Sequence, residues 1–259
     1  MTDHRARPDR RRFLTAATAA GTLAVLGGGL GPGAPAAAAA RRSLLGHEVR
    51  RLPTEEHVLA VTFNAAWNDD GLPEVLTALE RRGVGAAFFL TGRFAEQYPA
   101  AARTLADAGH GLANHSYDHP PLAGLTADGL REQVRRTDRA IRAAAGTGPL
   151  PFYRFPYGET TPEAIEVVNA LGRADIEFTQ DTNGYLGTVG GMTVPKAVER
   201  AVAALVPGAI LQLHLGSSPS NGPGLDPAAL PLILDAAEAR GYRVTTLDAF
   251  LDPATGLPG

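Results

Sequence analysis

Two histidines, His115 and His119, stand four residues apart in a segment that ends at Pro120. A single helical turn would place both imidazoles on one side, and Pro120 disfavours continuation of a helix past His119. Two neutral imidazoles that converge in this way suit a borderline divalent cation such as zinc. The plainer alternative is a pair of surface histidines beside a proline turn. The spacing therefore predicts a metal-binding pair without excluding that alternative.

Three further polar residues stand where apolar runs of the sequence end. Asn64 follows the run 58–63, Arg154 lies in the run 151–155, and His214 lies near the end of the run 209–215. Functional residues of parallel α/β proteins collect at the carboxyl ends of strands. Taken singly, Arg154 is also compatible with a surface ion pair and His214 with a hydrogen-bonded core histidine. Because all of these residues fall at strand ends, we predict that they share one site with the histidine pair.

The elements that must position these residues alternate between strand-like and helix-like segments over 57–250. Unbroken apolar runs at 58–63, 86–90, 151–155 and 209–215, with a weaker one at 242–247, are typical of strands buried on both faces of a parallel sheet. Helices are predicted to begin at Thr126, at the capping box Thr160–Glu163 and at Asp226. The alternation predicts a single α/β domain, either an open sheet or a barrel.

Composition excludes several classes of protein. The 259 residues are 44% hydrophobic and 20% charged, which excludes intrinsic disorder. The absence of cysteine excludes disulfide scaffolds, thiolate zinc sites and cysteine nucleophiles. A net charge of −3 argues against binding to nucleic acid. A serine hydrolase or a nucleotide enzyme is disfavoured, because the sequence has no Gly-x-Ser-x-Gly elbow and no phosphate-binding glycine loop with lysine.

The first 40 residues have the features of a targeting segment. Arg10, Arg11 and Arg12 precede a weakly apolar run over 15–30, and small residues at 36–40 offer a cleavage site. These features resemble a twin-arginine export signal. A retained membrane anchor is disfavoured because the run is short and poor in large apolar residues. Because residues 1–40 hold five Arg and two Asp, the chain without them has a net charge of −6.

We therefore expect a secreted protein with no stable membrane insertion once the signal is removed. The expected organisation is a signal peptide at 1–40, a lead-in at 41–56, a domain at 57–250 and a tail at 251–259. An exported, cysteine-free and acidic chain of this size suggests an extracellular enzyme. The oligomeric state is left open.

Five short motifs run in a fixed order along residues 57–250. They are Val61-Thr62-Phe63, Phe88-Phe89-Leu90-Thr91-Gly92, His115-Ser116-Tyr117-Asp118-His119, Arg154-Phe155-Pro156-Tyr157 and Leu211-Gln212-Leu213-His214. In this order they resemble the motifs of the polysaccharide deacetylase family, that is, the NodB homology domain or carbohydrate esterase family four. The resemblance implies a distorted (β/α) barrel and metal-dependent removal of N- or O-acetyl groups from a polysaccharide.

The resemblance also implies a role for each matching residue. By position, His115 and His119 would bind the metal, Tyr157 would donate its backbone N–H to the oxyanion, and Arg154 would orient the catalytic base. His214 would be the general acid that protonates the leaving amine. The implied reaction is attack of water on an amide carbonyl, in which the cation polarises the oxygen and the acid prevents expulsion of an amide anion.

The first motif departs from the family pattern Thr-Phe-Asp-Asp-Gly. Asn64 occupies the catalytic position of the base, and Ala65 occupies that of the third metal ligand. An amide has no useful basicity near neutral pH, and a methyl group has no donor atom. Farther along, Gly184 stands where the family often has an acidic residue, so the acidic partner of His214 is missing or replaced, with Asp181 as one candidate.

Two outcomes are open for this altered site. In the first, the loop 65–71 folds back, Asp69 or Asp70 supplies a carboxylate, and the protein deacetylates an N-acetylated glycan such as peptidoglycan or chitin. We take Asp69 as the expected metal ligand, although a solvated helix start is the alternative for this segment. In the second, the protein is a catalytically impaired glycan-binding pseudoenzyme. His115, His119, His214 and Arg154 are all present, which favours the first outcome. Hydrolysis of an amide that is not part of a glycan is a further alternative, which the sequence does not separate from the first outcome.

Aromatic side chains near the strand ends are candidates for contact with sugar rings, because flat apolar faces pack against them. Core or lid packing is the alternative for each. The expected partner is a polysaccharide. The candidates for substrate binding are Trp67, Tyr117, Phe155 and Tyr185.

Overall fold

The computed structural model describes residues 43–217, 220–252 and 254–258. The expected export signal at 1–40 lies outside the described residues, so the signal, its cleavage and the domain limits stay predictions. Within the described ranges, no helix is long and apolar enough to cross a membrane.

The described part of the chain forms one sheet of eight strands in which all the strand pairs are parallel. The strands are β1 (Val58–Ala65), β2 (Ala87–Leu90), β3 (Gly111–Asn114), β4 (Phe152–Tyr153), β5 (Ala174–Asp175), β6 (Gln180–Asp181), β7 (Ala209–Leu215) and β8 (Arg243–Thr245). Their order is β5-β4-β3-β2-β1-β7-β6, and β8 pairs with the beginning of β1. The parallel sheet predicted from the unbroken apolar runs is confirmed.

Helices provide the crossovers that parallel strands require. The helices are α1 (Leu72–Arg82), α2 (Gly92–Gln97), α3 (Pro99–Asp107), α4 (Ala127–Ala145), α5 (Pro162–Asn169), α6 (Val194–Ala203) and α7 (Asp226–Glu238). The predicted starts of α4, α5 and α7 are confirmed. The hydroxyl of Thr126 accepts from Gly129 N and that of Thr161 from Ala164 N, which satisfies amide groups that the first helical turn leaves free.

The central strand β1 is buried along its whole length, and its alternate residues pack on two faces of the sheet. Phe63 and Ala65 belong to the larger apolar cluster, which includes side chains of the surrounding helices, whereas Ala60 belongs to a second cluster. The lead-in segment seals this second cluster. Val49 N donates to Asp175 O (2.9 Å) and Leu52 N to Gly208 O (2.8 Å), so the segment bridges the two sides of the curled sheet.

The strand register brings the predicted site residues to one end of the sheet. Asn64 on β1 lies beside His214 on β7, and Asn114 on β3 lies beside Tyr153 on β4. Because the strands are parallel, the segments that follow them leave from the same edge. The fold is a curled parallel half-barrel surrounded by helices, with its polar strand ends at one rim.

Candidate active site

The carboxyl ends of β1, β3, β4 and β7 surround a cavity of about 280 Å³. Arg154 is fully buried beside it, in contact with Asn64. Neither Asp69 nor Tyr117 is among the lining residues. The predicted site residues that do line the cavity are Asn64, Trp67, His115, His119, Phe155, Tyr157, Tyr185 and His214.

His115 and His119 converge as predicted, with ring centroids 4.8 Å apart and ring planes at 77°. The turn that joins them differs from the expected helical turn, because Ser116 and His119 both have left-handed backbones (φ 65° and 58°). Such a conformation costs a residue with a side chain roughly 1–2 kcal/mol. Local hydrogen bonds hold it: Asn114 Oδ1 accepts from Ser116 N (3.0 Å), and Ser116 Oγ accepts from His119 N (3.1 Å).

Each imidazole of the pair has a buried nitrogen with no hydrogen-bond partner among the described residues, Nε2 of His115 and Nδ1 of His119. The Nδ1 of His115 lies 2.9 Å from the carbonyl oxygen of Arg154. Since a carbonyl only accepts, Nδ1 is the donor and Nε2 carries the lone pair. Burial lowers the pKa of both imidazoles, which keeps them neutral near pH 7. Neutral imidazole nitrogens of this kind are metal ligands.

The carboxylate expected from Asp69 does not complete this pair. Over the described residues, no group of three or more His, Asp or Glu side chains is placed to hold a metal ion. The loop that carries Asp69 is fastened to the segment after β7: Asn68 Oδ1 accepts from Ser217 N (2.8 Å), Asn68 Nδ2 donates to Ser217 O (3.2 Å), and Gly216 N donates to Asp70 O (3.1 Å). Among the residues that the structure describes, the site therefore has two imidazole ligands and no carboxylate as a third ligand.

Asn64 lies where the family resemblance places the base. It is 7% exposed, and its Oδ1 accepts from Arg154 Nη1 at 3.0 Å. The guanidinium also donates to the carbonyl oxygens of Ile176 (2.8 Å) and Glu177 (3.1 Å) and lies 3.9 Å from the ring centre of Phe89. Arg154 thus orients the residue at position 64, but that residue is a neutral amide.

Two buried acids, Asp175 and Glu177, lie close enough to Arg154 to interact with its charge. Burial lowers the pKa of Arg154 to about 10, and Glu177, Asp181 and Asp175 oppose that shift. Burial raises the pKa of Glu177 to about 7, against the opposing effects of Arg154 and of the Phe155 N–H. Burial and the neighbouring Glu177 raise the pKa of Asp175 well above its ordinary value. The negative charge that stabilises the guanidinium therefore comes from Glu177 and Asp181 ahead of Asp175, and none comes from the neutral residue at position 64.

His214 lies between two carboxylates. Its Nδ1 is 3.6 Å from Asp226 Oδ2 and 3.8 Å from Asp181 Oδ1. Burial lowers the pKa of the imidazole, but the two carboxylates together outweigh burial, so the pKa of His214 lies above its ordinary value. The protonated ring is the form that a general acid needs. The structure thus brings Asp181 to His214, as suggested, and adds Asp226.

Aromatic rings form much of the cavity wall. Trp67 is 53% exposed and Tyr157 64% exposed, and their ring centroids lie 6.3 Å and 4.6 Å from that of His119. The Tyr185 ring lies 4.6 Å from the His214 ring. Phe155 is buried and contributes to the lining. Exposed ring faces at the rim are therefore available to a sugar.

The structure does not bring Tyr117 to the cavity, where a substrate-binding role was expected. Its side chain is 6% exposed, and its hydroxyl donates to Glu96 (2.7 Å) and accepts from Arg136 Nη2 (2.8 Å). A Cβ atom at Gly92 would lie 2.3 Å from the Tyr117 ring, so the ring packs directly on the backbone of α2. Tyr117 anchors the histidine turn to α2 and α4 and does not reach the cavity.

Residues 51–175 match the family model described as polysaccharide deacetylase. Over these residues the chain matches the polysaccharide deacetylase family. Two curated relatives that the chain resembles are glycan deacetylases. A chitooligosaccharide deacetylase of Azorhizobium caulinodans is 26% identical over 213 residues, covering 79% of this chain and 99% of the relative. A peptidoglycan-N-acetylglucosamine deacetylase of Bacillus cereus is 29% identical over 195 residues, covering 75% of this chain and 68% of the relative.

Solved structures similar to this chain include a pseudoenzyme and a deacetylase. A CE4 family pseudoenzyme from Bacillus anthracis has a TM-score of 0.70 at 26% identity, covering 80% of this chain and 69% of that one. A mutant of it with restored enzymatic activity has the same TM-score and identity. A peptidoglycan N-acetylglucosamine deacetylase has a TM-score of 0.71 at 26% identity, covering 78% of this chain and 92% of that one. By family the chain is a deacetylase-type hydrolase of carbon–nitrogen bonds, with an altered first motif.

Sequence reasoning missed three acids at or near this site. Glu177 lies between Ile176 and Phe178, and an acid flanked by two large apolar residues is an available signal for a buried functional group. Asp175 has a large apolar neighbour on one side only. Asp226 carries no such signal, because an Asp-Pro pair at a helix start is explained by the helix alone.

Proposed function

We propose that the protein is an exported, metal-dependent, deacetylase-type hydrolase that removes acetyl groups from an N-acetylated glycan, at a rate limited by Asn64. The observation that carries this proposal is the convergence of three histidines on one cavity. His115 and His119 each have a buried nitrogen without a partner among the described residues, and the pKa of His214 is raised. The relatives named as chitooligosaccharide and peptidoglycan deacetylases support the substrate class.

The acid half of the reaction is retained. An amide nitrogen leaves as an amine only if it is protonated as the C–N bond breaks. Nδ1 of His214 is the ring nitrogen near the two carboxylates, so Nε2 is the nitrogen that delivers the proton. The raised pKa of His214 keeps this proton in place toward neutral pH. Acid catalysis therefore needs no residue that the chain lacks.

The base half is impaired. Asn64 is held by Arg154 in the base position, but its amide cannot accept a proton from water. The loss of a general base costs about 10²–10⁴-fold in rate. We therefore expect slow release of acetate from a site whose other groups are in position.

The histidine pair supports the proposal of a bound metal, because it fits two ligand positions of a divalent ion such as zinc. When bound there, the ion would polarise the acetyl carbonyl and lower the pKa of water. Ala65 offers no donor atom for a third position, and it belongs to the apolar cluster. We therefore expect weak binding that a chelator reverses.

The shape of the cavity supports a glycan substrate. Its volume of about 280 Å³ is near the lower end of the range of roughly 300–1,000 Å³ for small-molecule pockets. Such a cavity holds one unit of a polymer at a time, and the exposed faces of Trp67 and Tyr157 are available to neighbouring sugars. The proposal includes both a chitin-like and a peptidoglycan-like chain as substrate.

The test of activity is acetate release by zinc-loaded protein from chitooligosaccharides and from N-acetylated peptidoglycan. We expect slow release that stops on addition of chelator and in the His214→Ala variant. Absence of release over a broad panel of glycans, from protein shown to contain zinc, would refute the proposal. Export is tested separately by replacing Arg11 and Arg12 with Lys, which should leave the protein in the cytoplasmic fraction if the twin-arginine route is used.

A second candidate is a glycan-binding pseudoenzyme. It is favoured by the neutral amide at position 64, by the absence of a three-ligand group over the described residues and by the structural likeness to a CE4 family pseudoenzyme. It predicts that calorimetry detects saccharide binding that chelator does not change. It also predicts no acetate release, with no further loss in His214→Ala. These results separate it from the slow enzyme.

A further inference from the structure

Gly184 stands where the family often has an acid, and in this structure it is packed against another acid. A Cβ atom at position 184 would lie 2.1 Å from Oδ1 and 2.4 Å from Cγ of Asp226. The requirement for glycine is steric, because the space that a side chain would occupy at position 184 is filled by the Asp226 carboxylate. An acidic side chain therefore fits at position 184 or at position 226, but not at both.

Asp226 is completely buried at the first residue of α7, and both of its carboxylate oxygens accept hydrogen bonds. Oδ1 accepts from Thr182 Oγ1 (2.6 Å), and Oδ2 accepts from His214 N (2.7 Å). A negative charge there also meets the positive end of the helix dipole. The carboxylate is thus fixed in orientation, with Oδ2 3.6 Å from Nδ1 of the His214 ring.

We propose that Asp226 is the positioning residue for His214, and that Gly184 and Asp226 are a compensating pair in which α7 supplies the acid that position 184 lacks. The proposal rests on the function assigned above to His214. At 3.6 Å the Asp226 carboxylate lies beyond hydrogen-bond length from Nδ1, which has no hydrogen-bond partner among the described residues. Asp226 would therefore favour the Nδ1–H tautomer of the neutral ring through its charge and leave Nε2 for the leaving group.

Asp226 differs from the other groups that face His214 because its Oδ2 also accepts a hydrogen bond from the backbone N–H of His214. Asp181 lines the cavity, its carboxylate accepts from Asn183 N (2.7 Å) and Gln212 Nε2 (2.8 Å), and its Oδ1 lies 3.8 Å from Nδ1 of His214, so it contributes charge but no hydrogen bond to His214. The Tyr185 ring lies beside the imidazole. The positive charge of Arg154 opposes protonation of His214, and each of His115 and His119 interacts unfavourably with a charged His214 ring.

The experiment is a double-mutant cycle at positions 184 and 226 in the full chain without substrate, which makes it independent of activity. Gly184→Asp should lower the melting temperature strongly, because the new side chain collides with Asp226. Asp226→Ala should weaken the preference of His214 for the Nδ1–H tautomer to the level that Asp181 alone supports, read from long-range ¹⁵N–¹H NMR spectra. The double variant should regain part of the melting temperature and the tautomer, since the acid now comes from position 184.

Asp226→Asn provides a variant of nearly unchanged shape if Asp226→Ala does not fold. We expect it to lower the pKa of His214 by about 1 or more, because it removes one of two nearby negative charges. Thr182→Val is the matched control: it removes a hydrogen bond from the same carboxylate but keeps the charge, so it should lower stability and leave the tautomer unchanged.

An unchanged tautomer and pKa in Asp226→Asn would overturn the proposal and leave Asp226 with a structural role only. Additive losses in the double variant would overturn the compensating pair. If acetate release is absent from all variants while the tautomer responds as expected, the positioning role stands and the proposed catalytic function fails.

Discussion

Substitution of Asn64 by Asp would place a carboxylate where the proposed reaction needs a general base. The two side chains have nearly the same shape, and Oδ1 of Asn64 already accepts from Arg154 Nη1 at 3.0 Å. A carboxylate would take the same place, with its second oxygen where the amide nitrogen is now. We therefore expect Asn64→Asp to fold and to release acetate faster than the natural sequence.

The size of the gain follows from the role assigned to the carboxylate. A positioned general base contributes about 10²–10⁴-fold, equivalent to about 3–5 kcal/mol of activation free energy. At a separation of 3.0 Å, attraction to Arg154 amounts to about 5 kcal/mol at an effective dielectric constant of 20. This attraction opposes the effect of burial and keeps the new carboxylate ionised near pH 7. The gain should therefore be present at neutral pH and fall as the pH drops through the pKa of the new Asp.

The assay compares zinc-loaded Asn64→Asp with the natural sequence for acetate release from chitooligosaccharides, with zinc content measured in the same samples. Asn64→Ala is the control, because it removes the amide without adding a base and should give no gain. A folded Asn64→Asp protein with the same zinc content and less than about a tenfold gain would refute the assignment of position 64 as the base position.

Three further predictions concern the metal and the buried acids. Ala65→Asp should lower the free energy of unfolding in urea by about 2–4 kcal/mol without strengthening zinc binding, because Ala65 is fully buried in the apolar cluster; tighter zinc binding would contradict this placement. His115→Ala should abolish zinc binding in calorimetry, while His57→Ala, at an exposed histidine stacked on Tyr242, should not. Burial raises the pKa of Glu177 from 4.5 to about 7, so its proton stabilises the folded state below pH 4.5 and this contribution is lost as the pH rises to 7. Glu177→Gln should therefore remove up to about 3 kcal/mol of pH dependence from the free energy of unfolding between pH 4.5 and 8, and an unchanged pH profile would contradict the raised pKa.

Much of the fold is predictable from local patterns. The buried strands β1, β2 and β7 appear as unbroken apolar runs, and the hydroxyls of Thr126 and Thr161 mark helix starts that the structure contains. The two-residue strands β5 and β6 have no such pattern, since each is defined by its neighbours in the sheet. Local pattern therefore identifies the long elements and misses the short ones.

The members of the candidate site that lie at the carboxyl end of a strand are predictable from the sequence. His115, His119, Arg154 and His214 were each expected at one rim, and all four lie at or beside the cavity. Tyr117 lies away from the cavity because the left-handed turn that presents both histidines directs the residue between them toward α2 and α4. Spacing alone gives the distance along the chain but not the sign of a backbone dihedral angle.

The acids of the site could not be assigned, for a different reason. Asp69 is close to Ala65 in sequence, but hydrogen bonds between its loop and Gly216 and Ser217 hold that loop away from the histidine pair. Asp226 is far in sequence and reaches His214 only through the packing of α7. A long-range contact of this kind depends on the assembled tertiary structure, and no local sequence pattern reports it.

The fastening of the Asn68 amide to Ser217 has a consequence for substrate range. The two loops that carry it follow adjacent strands, and a Cβ atom at Gly216 would lie 2.4 Å from the Asn68 carbonyl oxygen, so the loops pack directly against each other at this point. The loop that carries Trp67 is therefore coupled to the segment that follows β7. If the cavity binds a glycan as proposed, a wider mouth for a branched polymer would require changes in both segments, and a change in one alone would first weaken the contact between them.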